Sequence, residues 1–186
     1  MIETKADRRD GPAGEAELLG LFAENAIAYT YNSHPPLFTV EDSRKLRGNL
    51  RGAHVKNMFL KDKKGGLWLV TCLEHRRVRI RDLEREIGAK GCSFAREDVL
   101  WEALGVRPGA VTPFALINDP ERKVQAVLDK AVLNASFVNA HPLQNEATVA
   151  ISSYDLERFF TIVGHAPLLV DFDALEERAP APAAER

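Results

Sequence analysis

The stretch His54-Val-Lys-Asn-Met-Phe-Leu-Lys-Asp62, continued by Lys63-Lys-Gly-Gly66 and Leu67-Trp-Leu-Val-Thr-Cys-Leu73, decides the fold. It reads as a β-hairpin: two β-rich apolar runs flank a turn whose glycines supply the positive φ angles of a tight reversal. Side chains alternate along a strand, so His54, Lys56, Met58 and Leu60 share one face and Val55, Asn57 and Phe59 the other. Apolar groups on both faces predict a strand covered on both sides. Lys56 then stands as an ammonium in an apolar row. Two readings compete for it: a solvated strand-end lysine, or a cation at a pocket mouth held for an anionic or carbonyl group of a ligand.

Working outward, the 186 residues suit one domain with a sizeable core, and 45% hydrophobic with 28% charged residues is ordinary for a globular chain. No apolar run approaches the roughly 18 residues of a membrane span, and the first residues lack the apolar core of a secretion signal; the expectation is a cytoplasmic protein. Cys72 and Cys92 lie far apart, without metal-ligand spacing, and read as reduced thiols. No metal and no cofactor is expected. The net charge of −2 conceals an asymmetry: between Arg44 and Lys64 eight basic residues face Asp62 alone, a formal +7. Such a side favours a phosphate backbone or is a merely solvated surface. Read as a strand, Arg76-Arg-Val-Arg-Ile-Arg81 would put Arg77, Arg79 and Arg81 on one face.

In chain order, residues 1–13 read as disordered, 14–174 as the folded domain and 175–186 as a disordered tail. Leu18, Leu19, Phe22 and Ala26 recur at helical spacing, and Ala28–Tyr31 reads as a short strand. Thr39 with Asp42 resembles a capping box for a short helix through Leu46. After the hairpin, Val78–Ile80 reads as a strand, Asp82–Ile87 as a helix closed by Gly88, and Cys92–Phe94 as a short edge. Glu97–Leu104 reads as a helix with Leu100, Trp101 and Leu104 inward. Strands are expected at Pro113–Ile117, Val124–Leu128, Ala147–Ile151 and Leu168–Phe172, with a helix capped by Ser152 or Ser153 and ended by Gly164. The pattern is α/β without the strict βαβ alternation of a doubly wound sheet, and without a glycine-rich dinucleotide or Walker loop.

Five pieces carry a resemblance: His54-x-Lys-Asn-Met-Phe-Leu-Lys-Asp-x-x-Gly65, His34-Pro-Pro-Leu-Phe-Thr-Val-Glu41, Leu104-Gly-Val-Arg-Pro-Gly-Ala-Val-Thr112, Phe114-Ala-Leu-Ile-Asn-Asp119 and Val138-Asn-Ala-His-Pro-Leu143. In this order, over roughly residues 15 to 173, the chain resembles the YbaK/prolyl-tRNA-synthetase-associated editing domains. It looks most like the free-standing members that hydrolyse alanine mischarged on proline tRNA.

The resemblance implies a YbaK-like mixed, curved β-sheet partly closed into a barrel with surrounding helices. It implies a deacylase acting on the acceptor end of mischarged tRNA(Pro), expected to be a monomer, with prolyl-tRNA synthetase or an elongation factor as candidate partners and no membrane. Carried onto this sequence, the catalytic set is Lys56, Gly105, Pro108, Gly109 and His141. Substrate contacts fall to His34, Asn57, Phe59, Thr112, Phe114 and Asn139, and tRNA contacts to Arg44, Lys45, Arg47, Arg51 and Lys61. From the residues alone, Gly105–Gly109 is a helix cap and turn or a set of amides facing a carbonyl oxygen, and His141 is a loop-bonding or a substrate-positioning histidine. No nucleophile elbow or Ser/His/Asp set is evident, so the implied chemistry is water attack on an ester. Ala115 stands where relatives often have glycine, and Ala140 where some have a larger residue. Cysteine or serine are therefore alternative amino acids, and a non-catalytic tRNA- or synthetase-binding module is the alternative from another class.

Overall fold

A computed structural model describes residues 11–36 and 50–178. The hairpin is its centre: β2, Ala53–Lys61, pairs antiparallel with β3, Leu67–Leu73, in a register running from Val55 opposite Leu73 to Lys61 opposite Leu67. Asp62 organises the turn. Its Oδ1 accepts the amides of Lys64 and Gly66, each at 2.8 Å, and its Oδ2 accepts the Trp68 indole N–H at 3.1 Å. Gly65, at φ +90°, supplies the backbone conformation a side chain resists.

Around this pair the other strands complete a mixed sheet of eight. They are β1 (Tyr29–Ser33), β4 (Ser93–Phe94), β5 (Val124–Asp129), β6 (Phe137–Ala140), β7 (Ala147–Ser152) and β8 (Leu168–Val170). The order is β1-β7-β6-β2-β3-β5-β8, with β4 on β2. β2 joins the halves. Ala53 and His54 pair parallel with Val138 and Asn139 of β6, and the remainder turns to β3. Gly52, at φ +108°, permits that approach, since a Cβ there would stand 2.5 Å from the Phe137 carbonyl oxygen.

Alternation on the hairpin divides the interior in two. Phe59 and Leu69 join a core with Leu18 and Phe22 of α1 (Glu15–Glu24), Leu100 and Leu104 of α3 (Glu97–Leu104), and Leu156, Phe159 and Phe160 of α4 (Ser153–Ile162). Leu60, Val70 and Cys72 face a second core with Leu83 and Ile87 of α2 (Ile80–Ile87) and Phe172 and Leu175 of α5 (Phe172–Arg178). The strand is covered on both sides, as its two apolar faces require. Each fully buried large apolar side chain contributes about 1.5–3 kcal/mol.

Local chemistry closes the helices. The Ser152 hydroxyl accepts the Asp155 amide at 3.0 Å, and Gly88 and Gly105 end α2 and α3 in the left-handed conformation at φ +73° and +63°.

Several expectations are corrected. Pro113–Asn118 is a 3₁₀ helix capped by Thr112, not a strand. Residues 78–80 form no strand: Arg79 is the N-cap of α2, and Arg76 is buried instead of alternating with its neighbours. Leu168–Val170 ends before Phe172, where α5 begins and runs to Arg178, past the expected boundary at 174. Trp101 is 41% exposed, not inward. The expected Thr39–Leu46 helix, with Arg44, Lys45 and Arg47, lies outside the described residues.

Candidate active site

Two loops face one another across a cleft of about 340 Å³, lined on one side by Gly105, Arg107, Pro108 and Ala110 and on the other by Leu143, Asn145 and Glu146, with Pro36 and Trp101 at its margins. The first loop leaves α3. The Gly105 amide is committed to the helix cap, donating to the Trp101 carbonyl at 2.9 Å, and the Ala110 amide donates to the Arg107 carbonyl at 3.0 Å. Pro108 carries no N–H. Among the described residues the Gly109 amide makes no hydrogen bond. Gly105 therefore supplies shape, and the Gly109 amide stands unbonded between two residues that line the cleft, Pro108 and Ala110. At φ +89°, Gly109 also lets the two walls meet, because a Cβ there would lie 2.9 Å from Asn145 Nδ2.

The opposite wall carries strain. Leu143 sits at φ +66°, a left-handed conformation that a bulky side chain adopts at a cost of about 1–3 kcal/mol. His141, at the start of this loop, binds the Ala147 carbonyl through Nδ1 at 2.8 Å. A carbonyl only accepts, so the proton sits on Nδ1. His34 Nδ1 likewise donates to the Pro35 carbonyl at 2.9 Å, and its Nε2 meets the Thr148 hydroxyl at 3.0 Å. The two imidazoles stand edge to face with centroids 6.0 Å apart, and the His34 amide donates to the Glu146 carbonyl at 2.9 Å. Thus the His34-Pro-Pro turn is stapled to the His141 loop, and both histidines brace that loop from behind the residues that line the cleft.

Asn57 joins the hairpin to the glycine loop. Its Nδ2 donates to the Val111 carbonyl at 3.0 Å, and its Oδ1 accepts the Thr71 hydroxyl at 2.7 Å. Lys56 points the other way. Its ammonium donates to the main-chain carbonyl of Arg76, and it is not among the residues lining the cleft. Arg76 is 4% exposed and its guanidinium binds three carboxylates: Asp129 at 2.9 Å, Asp173, and Glu176 at 3.1 Å. The Asp173 bond, first, then Asp129 and Glu176, raise its pKa against the opposing pull of burial.

Three expected substrate contacts are interior. Phe114 is fully buried, its ring 5.3 Å from Phe22 and 5.2 Å from Phe159. Thr112 is buried as the 3₁₀ cap and Phe59 lies in the first core, so none of the three presents a surface to a ligand. Asn139, 3% exposed, donates to the carbonyls of Arg51 at 3.1 Å and Ala53 at 3.3 Å, and so holds the entry to β2. Arg51 and Lys61 are exposed, as a phosphate-contacting role requires. Trp101, Arg107, Leu143 and Asn145 were not anticipated. Only the loop glycines on either side of Arg107 signalled the first wall, and no sequence signal marks Leu143's backbone.

Residues 34–159 match the aminoacyl-tRNA editing domain. The chain belongs to this family. Among editing-domain relatives, prolyl-tRNA synthetase associated domain-containing protein 1 of Danio rerio is 40% identical over 149 residues, 79% of this chain and 81% of that protein. The prolyl-tRNA editing protein ProX of Acetoanaerobium sticklandii is 37% identical over 143 residues, 76% of this chain and 87% of that protein. A crystal structure of a proposed trans-editing enzyme for prolyl tRNA synthetase superposes with a TM-score of 0.64 at 19% identity, covering 86% of this chain and 96% of its own. The editing-domain fold is shared with it.

Proposed function

We propose that this editing domain acts in trans to hydrolyse the ester of alanine mischarged on proline tRNA. The observation that carries the reading is the cleft between the glycine loop and the His141 loop, with the Gly109 amide unbonded between two of its lining residues. Ester hydrolysis passes through a tetrahedral oxyanion, and a fixed amide aimed at the developing charge lowers that barrier. Aminoacyl esters are labile, so positioning an ester beside water and one or two donors suffices without a nucleophilic side chain.

In this mechanism water attacks the acyl carbon, the oxyanion forms against the Gly109 amide, and the acyl–oxygen bond breaks to return the ribose hydroxyl. The free 2′-hydroxyl of the terminal adenosine assists the proton transfer. His34 and His141 hold the second wall, against which the side chain of the acyl group would rest. Lys56 stands apart from this wall. An ammonium has three protons, so its bond to the Arg76 carbonyl leaves two for a phosphate of the acceptor stem, away from the acyl cleft. Arg51 and Lys61, with Arg44, Lys45 and Arg47 of the same basic segment, would meet the acceptor backbone.

The test is deacylation of proline tRNA charged with Ala, Ser, Cys or Pro, alongside Ala on its own tRNA. Rapid loss of alanine from proline tRNA with the prolyl ester spared supports the proposal. Preference for Cys or Ser reassigns the substrate, since one small group in a pocket is worth only about 1–3 kcal/mol. Tight tRNA binding with no hydrolysis makes the chain a binding module.

A further inference from the structure

α3 buries Leu100 to 5% and Leu104 to 0% but leaves Trp101 41% exposed. A single exposed aromatic is unremarkable by itself. Here it is paired: the Arg107 guanidinium lies over the Trp101 ring, 4.2 Å from its centroid. Glu97 Oε1 holds Arg107 Nη1 at 3.3 Å, which limits the freedom of the cation. Trp101 and Arg107 both line the cleft, and Trp101 also borders a second hollow of about 600 Å³ shared with Pro12, Gly105 and Asn118. The indole is a partition with open space beside it, at the mouth of the proposed acyl site.

Resting on the editing reading above, we infer that Trp101 and Arg107 form a stacking platform for the terminal nucleobase of a single-stranded 3′ end. Every base has a π face, so aromatic and guanidinium planes bind single-stranded nucleic acid with little regard to sequence. The cation adds attraction to the adjoining phosphate and to the ring. An aminoacyl ester joins the amino acid to the ribose of the last nucleotide, so base and acyl group must be held within one nucleotide's span. A platform on the cleft's margin meets that requirement, whereas Lys56, on the far face of β2, does not touch the cleft.

The experiment is equilibrium binding of the trinucleotide CCA and of the same trinucleotide with an abasic terminal position, to the full chain and to Trp101→Ala and Trp101→Phe, with thermal melts to verify folding. The wild-type protein is expected to prefer CCA by roughly tenfold. Trp101→Ala should bind both probes alike, and Trp101→Phe should keep most of the preference. An unchanged preference in Trp101→Ala overturns the inference, as does equal binding of the two probes by the wild type. Competition by tryptophanamide as strong as that by adenosine monophosphate also overturns it, pointing to a protein partner. Binding requires no turnover, so the two readings separate. A Trp101-dependent base preference without deacylation keeps the platform and removes the editing role; deacylation with a preference indifferent to Trp101 does the reverse.

Discussion

The Lys56 ammonium is tied to the main-chain carbonyl of Arg76, the residue whose guanidinium gathers Asp129, Asp173 and Glu176. Strand β2, the segment after β3, β5 and helix α5 thereby meet at one arginine. Replacing Arg76 by Met leaves Asp129, fully buried, without its cation. Loss of one partner from a buried pair costs about 3–5 kcal/mol, an expectation that urea denaturation checks. Lys56→Ala removes a half-buried amine from the rim of this network. It should keep the fold within about 1.5 kcal/mol while lowering deacylation at sub-saturating tRNA about tenfold, the loss of one charge-assisted bond to phosphate. Wild-type turnover in Lys56→Ala would take the residue out of the mechanism.

Acid should loosen the hairpin turn and the α5 contact together. The Trp68 indole, then the Gly66 and Lys64 amides, hold the Asp62 carboxyl below its usual range, and Arg76 does the same for Asp173. Both groups have folded pKa values depressed below their unfolded ones. Their contribution is therefore present above the unfolded value, about 3.9, and is lost as pH falls through the folded value. Melting temperature measured from pH 6 to pH 2.5 should fall less steeply in Asp62→Asn than in the wild type. An identical slope would show that the turn carries no such linkage.

Neither cysteine should behave as a nucleophile in the folded protein. Burial pushes the Cys72 thiol up to about 12, and burial with the nearby Glu84 carboxylate pushes Cys92 up to about 11. Thiolate is the reactive form. Iodoacetamide at pH 8 should label neither on the timescale that labels both in guanidinium, and deacylation should survive the treatment. Rapid labelling of Cys72 in the native state would contradict its place in the second core.

Gly109→Ala tests the close approach of the cleft's walls. The new methyl meets Asn145 Nδ2 at 2.9 Å in a φ +89° backbone, whereas at Gly65, φ +90°, a Cβ meets nothing within 4 Å. Gly65→Ala should therefore report the backbone cost alone, about 1 kcal/mol. Gly109→Ala should lose at least as much stability and, beyond that, activity, with kcat falling more than KM rises. Equal activity in both variants would remove Gly109 from the chemistry.

His141→Ala breaks the Nδ1 bond to Ala147 without touching the glycine loop. Hydrolysis is expected to weaken and to spread to larger esters, measured as the ratio of alanyl to prolyl release. Unchanged rate and ratio would leave His141 with a purely loop-holding role.

The hairpin was legible because strict alternation, an Asp-Lys-Lys-Gly-Gly turn and strand-length runs all point one way, and α3 was legible between its first acidic residues and Gly105. Pro113–Asn118 misled because a short apolar run has no distinguishing period; the hydroxyl of Thr112 and the fixed φ of Pro113 tip it into a 3₁₀ turn. Arg76 looked like one of four surface arginines, since its partners arrive from 53 to 100 residues further along the chain. That same capture orders α5, whose charge and alanine content suggest a free tail. Phe114 sits in a stretch shared with the editing family, and a shared stretch does not tell a packing residue from a contact. Trp101 shows the converse, an apolar residue at inward spacing that a guanidinium keeps at the surface.

Strand β2 sends consecutive side chains into separate compartments, Lys56 toward Arg76 and Asn57 toward Val111. A slip of one residue in the hairpin would exchange them, burying an ammonium against the aromatic core and delivering a carboxamide to the arginine hub. Frameshifted pairing is thus self-defeating here, and the latch against it is remote from the chemistry: Asp62, gripping two amides and an indole, counts the residues of the turn.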